Sequence, residues 1–256
     1  MNGSGPGLFE AVIESWRLVI VNAATLAKGA VIPFLLFMAL NRLESLIKPE
    51  GMAILPWTLL LTVLAAVPAV ILLMPWYRKL LAVGEPSLAS RPKTWWSIIL
   101  MMRWAGLDAM FFAMMMPITI ISIQIIAAGT EATPRPELAL VYYASIALGS
   151  YLVYGRMGLA LPAAAAETDH GYRRSWAATA DSGWRIGLAI LLCWLSVLIP
   201  IDLLRHPLAV EDPTLAMQYL DAALGALFRV VNELLGAAVF AQFYLAHKSA
   251  PRESEG

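Results

Sequence analysis

Apolar residues in this chain gather into long unbroken windows, not into alternating or short amphipathic runs. Six windows are each long enough to cross a bilayer: roughly Ala23 to Leu40, Met52 to Met74, Trp104 to Ala128, Leu138 to Val153, Trp184 to Leu204 and Ala222 to Leu245. A hydrocarbon core about 30 Å thick is spanned by about 20 mostly apolar residues in a helix. The fourth window reaches that length by continuing through Met157 to Leu161. Two-residue alternation is absent from all six, which excludes a transmembrane β-barrel by period.

Shorter stretches before windows one, three and five are patterned differently. In the first, Glu10, Glu14 and Arg17 line one helical stripe, while Phe9, Val12, Ile13, Trp16 and Ile20 line another. That is the pattern of a helix lying in the membrane plane. In the third, Arg174, Asp181 and Arg185 stand opposite Tyr172, Trp176 and Trp184. The second is more apolar, with Arg91, Lys93 and Arg103 bracketing Trp95 to Ile99.

These stretches are spaced regularly. Trp16, Trp96 and Trp176 recur at an interval of 80 residues, and Trp96–Trp104 repeats the spacing of Trp176–Trp184. The pattern predicts an all-α fold: a polytopic membrane bundle of six transmembrane helices, built as three tandem repeats of an interfacial helix plus a transmembrane hairpin. The units run over about 8–86, 87–166 and 167–248, within a single integral membrane domain over 1–256. Breaks are expected at Pro33, Pro68 and Pro117, where a backbone donor is missing. Trp16, Trp96, Trp104, Trp176 and Trp184, with Arg78 and Arg156, are expected to be interfacial anchors, because an indole is apolar except for one N–H.

The hairpins also return alike. Ser15-Trp16 and Ser175-Trp176 head surface helices, and Trp76-Tyr77-Arg78-x-x-Leu81-x-x-Gly84-Glu85-Pro86 follows the second span. On these motifs the chain resembles uncharacterised six-span bacterial inner-membrane proteins. It is also similar to the membrane domain that precedes some glycerophosphodiester phosphodiesterases. The resemblance implies a fold and a membrane; it carries no catalytic residues across, and no phosphodiesterase domain is present in this sequence.

Composition agrees with the windows. The chain is 60% hydrophobic and 14% charged, with a mean hydropathy of +0.70, outside the soluble globular range. Formal net charge is zero, which gives no reason to expect nucleic acid. The expected partners are membrane lipids and other membrane proteins. On the predicted topology, 12 Lys and Arg residues fall on the side of the two termini and 4 on the other. That imbalance places both termini in the cytoplasm of a cell with the protein in its inner membrane. The first window, preceded by Glu10 and Glu14, does not read as a cleavable signal. Cys193 is the only cysteine, so neither a disulfide nor a thiolate metal site is expected.

Chemistry has few places to reside. A charge at mid-bilayer costs about 2.5–3.5 kcal/mol on insertion scales and is a functional suspect. Lys28 and Asp108 are such groups; they lie 80 residues apart, at equivalent repeat positions. They are expected either to pair between copies or to snorkel separately. Arg229, Asn232 and Glu233 form the other set. Arg229 and Glu233, one turn apart, are expected to neutralise each other within the helix; the sharper reading is an ion relay or a contact with a polar substrate.

The methionines Met101, Met102, Met110, Met114, Met115 and Met116 read as packing filler before they read as Cu(I) ligands. Glu167-Thr-Asp169-His170 has metal-ligand composition without a ligand spacing, and a solvated loop explains it. No nucleotide loop or nucleophile elbow is present. The sequence therefore assigns no catalytic residue, cofactor or metal. It favours a non-enzymatic scaffold, assembly or envelope-maintenance factor, because few polar groups are buried. The alternative is a small-solute or lipid transporter or channel using the polar groups of spans one, three and six. Whether those groups share one cavity separates the two.

Overall fold

The computed structural model describes residues 5–47, 54–82, 94–128, 144–168, 170–208 and 213–249, with backbone only over 54–56, 58–59 and 116–128. Their regular structure is helical throughout: α1 (Leu8–Val21), α2 (Ala23–Leu46), α3 (Ile54–Leu81) and α4 (Thr94–Ala128). A helical stretch over 144–149 runs into a π-helical segment, Ser150–Gly155. Then come α5 (Ala160–Ala165), α6 (Tyr172–Ala178), α7 (Gly183–Arg205), a 3₁₀ turn His206–Leu208, and α8 (Leu215–Ser249). Among the described residues, five helices are long and apolar enough to cross a membrane: Ala23–Leu46, Leu60–Leu81, Thr94–Met115, Gly183–Leu208 and Leu215–Ser249. The predicted fourth window begins outside the described residues, as do Arg91, Lys93 and the Gly84-Glu85-Pro86 motif.

The centre of the molecule is formed by α3 and α8. Ala65, Ala66, Ala69, Leu73, Trp76 and Tyr77 of α3 are buried, as are Ala226, Leu234, Leu235, Ala238 and Phe243 of α8. Alanine at such spacing lets two helix backbones approach closely. Trp76 Nε1 donates to the Leu234 carbonyl at 3.0 Å, tying the two helices together. The outer face of α2 is the opposite case, for Val31, Ile32, Leu35 and Leu36 are exposed. A contiguous apolar exterior of this kind suits hydrocarbon surroundings, not water.

α1 has three faces, not two. Ala11, Ser15 and Val19 are buried, and Gln242 of α8 donates to Ser15 Oγ at 2.9 Å. Phe9, Ile13 and Ile20, part of the apolar stripe of a helix expected to lie in the membrane plane, are exposed. Ala11, Ser15 and Val19 make the buried contact with Leu8, Val12, Trp16 and Leu18 packed beside them, while Phe9, Ile13 and Ile20 face outward. Glu14 and Arg17 pair at 2.6 Å on the remaining face. That hydrogen bond holds the Glu14 carboxyl below its ordinary value.

Two expectations are corrected. The helices run on through Pro33, Pro68 and the Pro117 backbone position without interruption. A proline removes one donor, yet a long helix in apolar surroundings keeps its remaining hydrogen bonds because nothing else can satisfy them. Secondly, the middle unit has no separate surface helix over Trp96–Trp104, since α4 is continuous from Thr94. At the matching register, Asn22 separates α1 from α2 and Ser182 precedes α7. Asn22 Nδ2 bonds the Leu18 carbonyl at 2.7 Å. Asn and Ser compete with the helix for backbone partners, whereas Met102 in the same register is a helix former with no such group.

Candidate functional site

A single stripe of α4 carries Trp104, Asp108, Phe111 and Met115, and a stripe of α8 with the same spacing carries Arg229, Glu233, Gly236 and Phe240. Offsets of four, seven and eleven residues return to one face of a helix. Together with side chains from α3, α7 and the π-helical segment, these stripes line a cavity of about 510 Å³. Its polar lining is Asp108, Glu233, Arg229, Asn232, Ser150 and Thr62; much of the rest is aromatic.

Two hydrogen bonds fix the carboxylates. Tyr154 Oη donates to Asp108 Oδ1 at 2.8 Å, and Trp104 Nε1 donates to Glu233 Oε2 at 2.9 Å. Each acid is thus held by an aromatic donor on a different element. Among the described residues, neither acid has a second hydrogen-bond partner. Arg229 turns its guanidinium toward Phe37 of α2, with Cζ 5.8 Å from the ring centroid.

Tyr154 reaches Asp108 because of local backbone geometry. The π-helical segment crosses α7 so closely that a Cβ on Gly155 would lie 2.3 Å from the Gly183 carbonyl oxygen. A Cβ on Gly187 would lie 2.7 Å from the Tyr151 Cα. Only glycine permits this crossing. A π turn also displaces the side chains after it from the α-helical register. Ring packing of Phe111 on Tyr154, at 5.2 Å between centroids, completes the support.

Of the predicted intramembrane polar groups, Asp108, Arg229, Asn232 and Glu233 meet in this cavity and Lys28 does not. Lys28 is exposed and makes no ion pair with Asp108, whose bond goes to Tyr154. Equivalence in a repeat is not adjacency, since a third element lies against Asp108. Arg229 and Glu233 likewise form no ion pair within hydrogen-bonding distance; each turns to an aromatic on another helix.

The anchors divide too. Trp104 is buried at 5% exposure and belongs to the cavity. Trp176 and Trp184 are exposed, Trp96 is half-buried, and Trp16 Nε1 donates to Ser196 Oγ at 3.1 Å. Arg78 is buried, bonded to Glu167 at 3.0 Å and to the Ala165 carbonyl at 3.2 Å. Arg156 donates to the Trp176, Ala180 and Thr179 carbonyls at 2.9, 3.1 and 3.3 Å and lies over the Trp176 ring. Both arginines tie the structure together at helix ends.

The Glu167–His170 stretch is packed, not a solvated loop. Glu167 holds Arg78, Thr168 Oγ1 bonds the Ala163 carbonyl, and the His170 carbonyl accepts from Arg103 at 3.1 Å; Asp169 lies outside the described residues. Burial, then the nearby Arg174, Arg103 and His247, push the His170 imidazole below its ordinary value. Tyr172 donates to the Arg103 carbonyl, and burial pushes its phenol up to about 12. This cluster connects α4, α5 and α6 without opening onto the cavity.

Tyr154 and Trp104 were the functional residues hardest to see in the sequence. Trp104 could have been found, because it stands one turn before Asp108 on the same face. No sequence signal marks the π turn that delivers Tyr154. No family model, no curated protein and no solved structure matches this chain.

Proposed function

We propose that this chain is a multi-pass membrane protein that binds a small polar or amphipathic solute in a cavity among its spans and moves it across or within the membrane. In this reading it threads an inner membrane six times as three tandem units, with both termini cytoplasmic and lipids as its surroundings. The similarity to the membrane domain of some glycerophosphodiester phosphodiesterases belongs to the same proposal, as a likeness of architecture only.

The observation that carries it is convergence. Asp108 and Glu233, 125 residues apart in sequence, line one cavity with Arg229 and Asn232. A scaffold gains nothing from gathering charged groups around one cavity in apolar helices, where each is costly. A solute site needs such convergence, with a few placed polar groups in a mostly apolar pocket. The expected scaffold role rested on the absence of that arrangement.

Purification in native-lipid nanodiscs with mass spectrometry of co-purified molecules tests the reading. Wild-type protein should retain a small molecule that is lost from Asp108→Asn and Glu233→Gln proteins of unchanged helicity. Equal retention by all three, or loss only where helicity also falls, would return Asp108 and Glu233 to a structural role.

A further inference from the structure

The cavity has a charge and a texture that together narrow what it takes. Two carboxyl groups and one guanidinium line it, so acidic groups outnumber basic ones in the cavity. Trp104 and Tyr154 each satisfy one carboxylate oxygen, at 2.9 and 2.8 Å, and the other oxygen of each acid has no partner among the described residues. The Arg229 guanidinium is directed to Phe37, 5.8 Å from its ring centroid, and shares the cavity with both acids without a direct ion-pair contact to either.

The remaining wall is apolar, about half of it aromatic. Phe111 packs on Tyr154, and Trp194 meets Phe228 edge-on at 6.3 Å between centroids. Aromatic faces attract cations, more strongly where water is excluded. We infer that this cavity binds a lipophilic organic monocation, with Asp108 and Glu233 as its counter-charges and the aromatic wall as the seat of its apolar body. This rests on the proposed solute-binding reading and names its substrate class.

Other occupants fit less well. An anionic headgroup would meet two carboxylates at close quarters, where like charges in a poorly screened site repel by several kcal/mol. A hard metal ion asks for about six oxygen ligands, and much of this wall is aromatic. A neutral apolar molecule would leave both half-bonded acids unsatisfied. The volume, about 510 Å³, lies within the roughly 300–1,000 Å³ of small-molecule sites.

The test uses a pair of ions of one shape and opposite charge, tetraphenylphosphonium and tetraphenylborate, on the full chain in phosphatidylcholine nanodiscs. Equilibrium dialysis should show saturable phosphonium binding above protein-free discs and none for the borate. Glu233→Gln and Asp108→Asn should each weaken phosphonium binding about tenfold or more, as loss of a buried charge partner does. Should either variant unfold, displacement of phosphonium from the wild-type protein by benzyltrimethylammonium, and not by benzoate, decides the same question.

Borate bound as tightly as phosphonium, or phosphonium binding unchanged in both folded variants, overturns the cation assignment. So does the absence of saturable binding by either ion. If a co-purified molecule is still lost from the variants in that case, the solute site stands and only its class is wrong. If nothing co-purifies either, both readings fall.

Discussion

Glu233 and Trp104 show how a single hydrogen bond can place an acid. The indole N–H reaches the carboxyl group at 2.9 Å from another helix, which fixes the acid in the wall of the cavity. Trp104→Phe keeps most of the ring but removes that donor. It should cost about 1–3 kcal/mol, the range for leaving a buried polar group without its partner, read as a lower melting temperature in nanodiscs. Lys28→Gln should change stability by less than about 0.5 kcal/mol, as exposed substitutions do. Equal losses for the two variants would contradict the assignment of Lys28 to the exterior. The sequence located Asp108, Arg229, Asn232 and Glu233 from polarity within apolar windows, but it could not give their partners. Helical spacing within one segment suggested Arg229–Glu233 and repeat spacing suggested Lys28–Asp108; in both cases a side chain from another element took the place.

Elements are where backbone chemistry decides. The π-helical segment lies against α7 through Gly155 and Gly187, with no room for a Cβ. Gly155→Ala should destabilise the protein by about 1–3 kcal/mol, the usual cost of overpacking, and should also disturb Tyr154. An unchanged melting temperature for that variant would contradict the crossing. The α6 end is held by Arg156 through the carbonyls of Trp176, Thr179 and Ala180, at and just past its last turn.

The neighbouring His170 has its imidazole depressed by burial and by Arg174, Arg103 and His247. A depressed folded value means the unfolded chain binds the proton first as pH falls. His170 therefore contributes stability that is present above its ordinary unfolded value, near 6.5, and is lost as pH drops through the lower folded value. Melting temperature should fall on acidification below about 6.5, and less steeply in His170→Gln; parallel pH profiles for the two proteins would refute the assignment. Window lengths made the long helices legible. Prolines misled, because the expected breaks at Pro33, Pro68 and Pro117 did not form.

At the scale of the whole molecule, an apolar exterior and an interior cavity that gathers charged groups invert the arrangement of a water-soluble bundle. Leu35 and Ile71 lie exposed on the outside, while Asp108 and Glu233 face inward across the cavity. Composition made the apolar exterior legible. The cavity was not, because it depends on which faces of α4 and α8 meet, and neither helix announces its neighbour in sequence. Among the described residues, five helices are long and apolar enough to cross a membrane; six crossings and the triplicated plan belong to the proposed function.

The most direct measurement is thiol accessibility in membranes. Cys193, the sole cysteine, is replaced by Ser, and single cysteines are then placed at Ser150, Asn232 and Gly236 in the cavity and at Leu35, Ile71 and Leu188 on the exterior. Labelling with a small water-soluble thiol reagent is followed in intact and in opened vesicles. The cavity positions should react while the exterior positions, bathed in hydrocarbon, stay inert. Cavity cysteines as unreactive as the exterior ones, or exterior cysteines that label freely, would contradict a polar cavity enclosed by membrane-spanning helices.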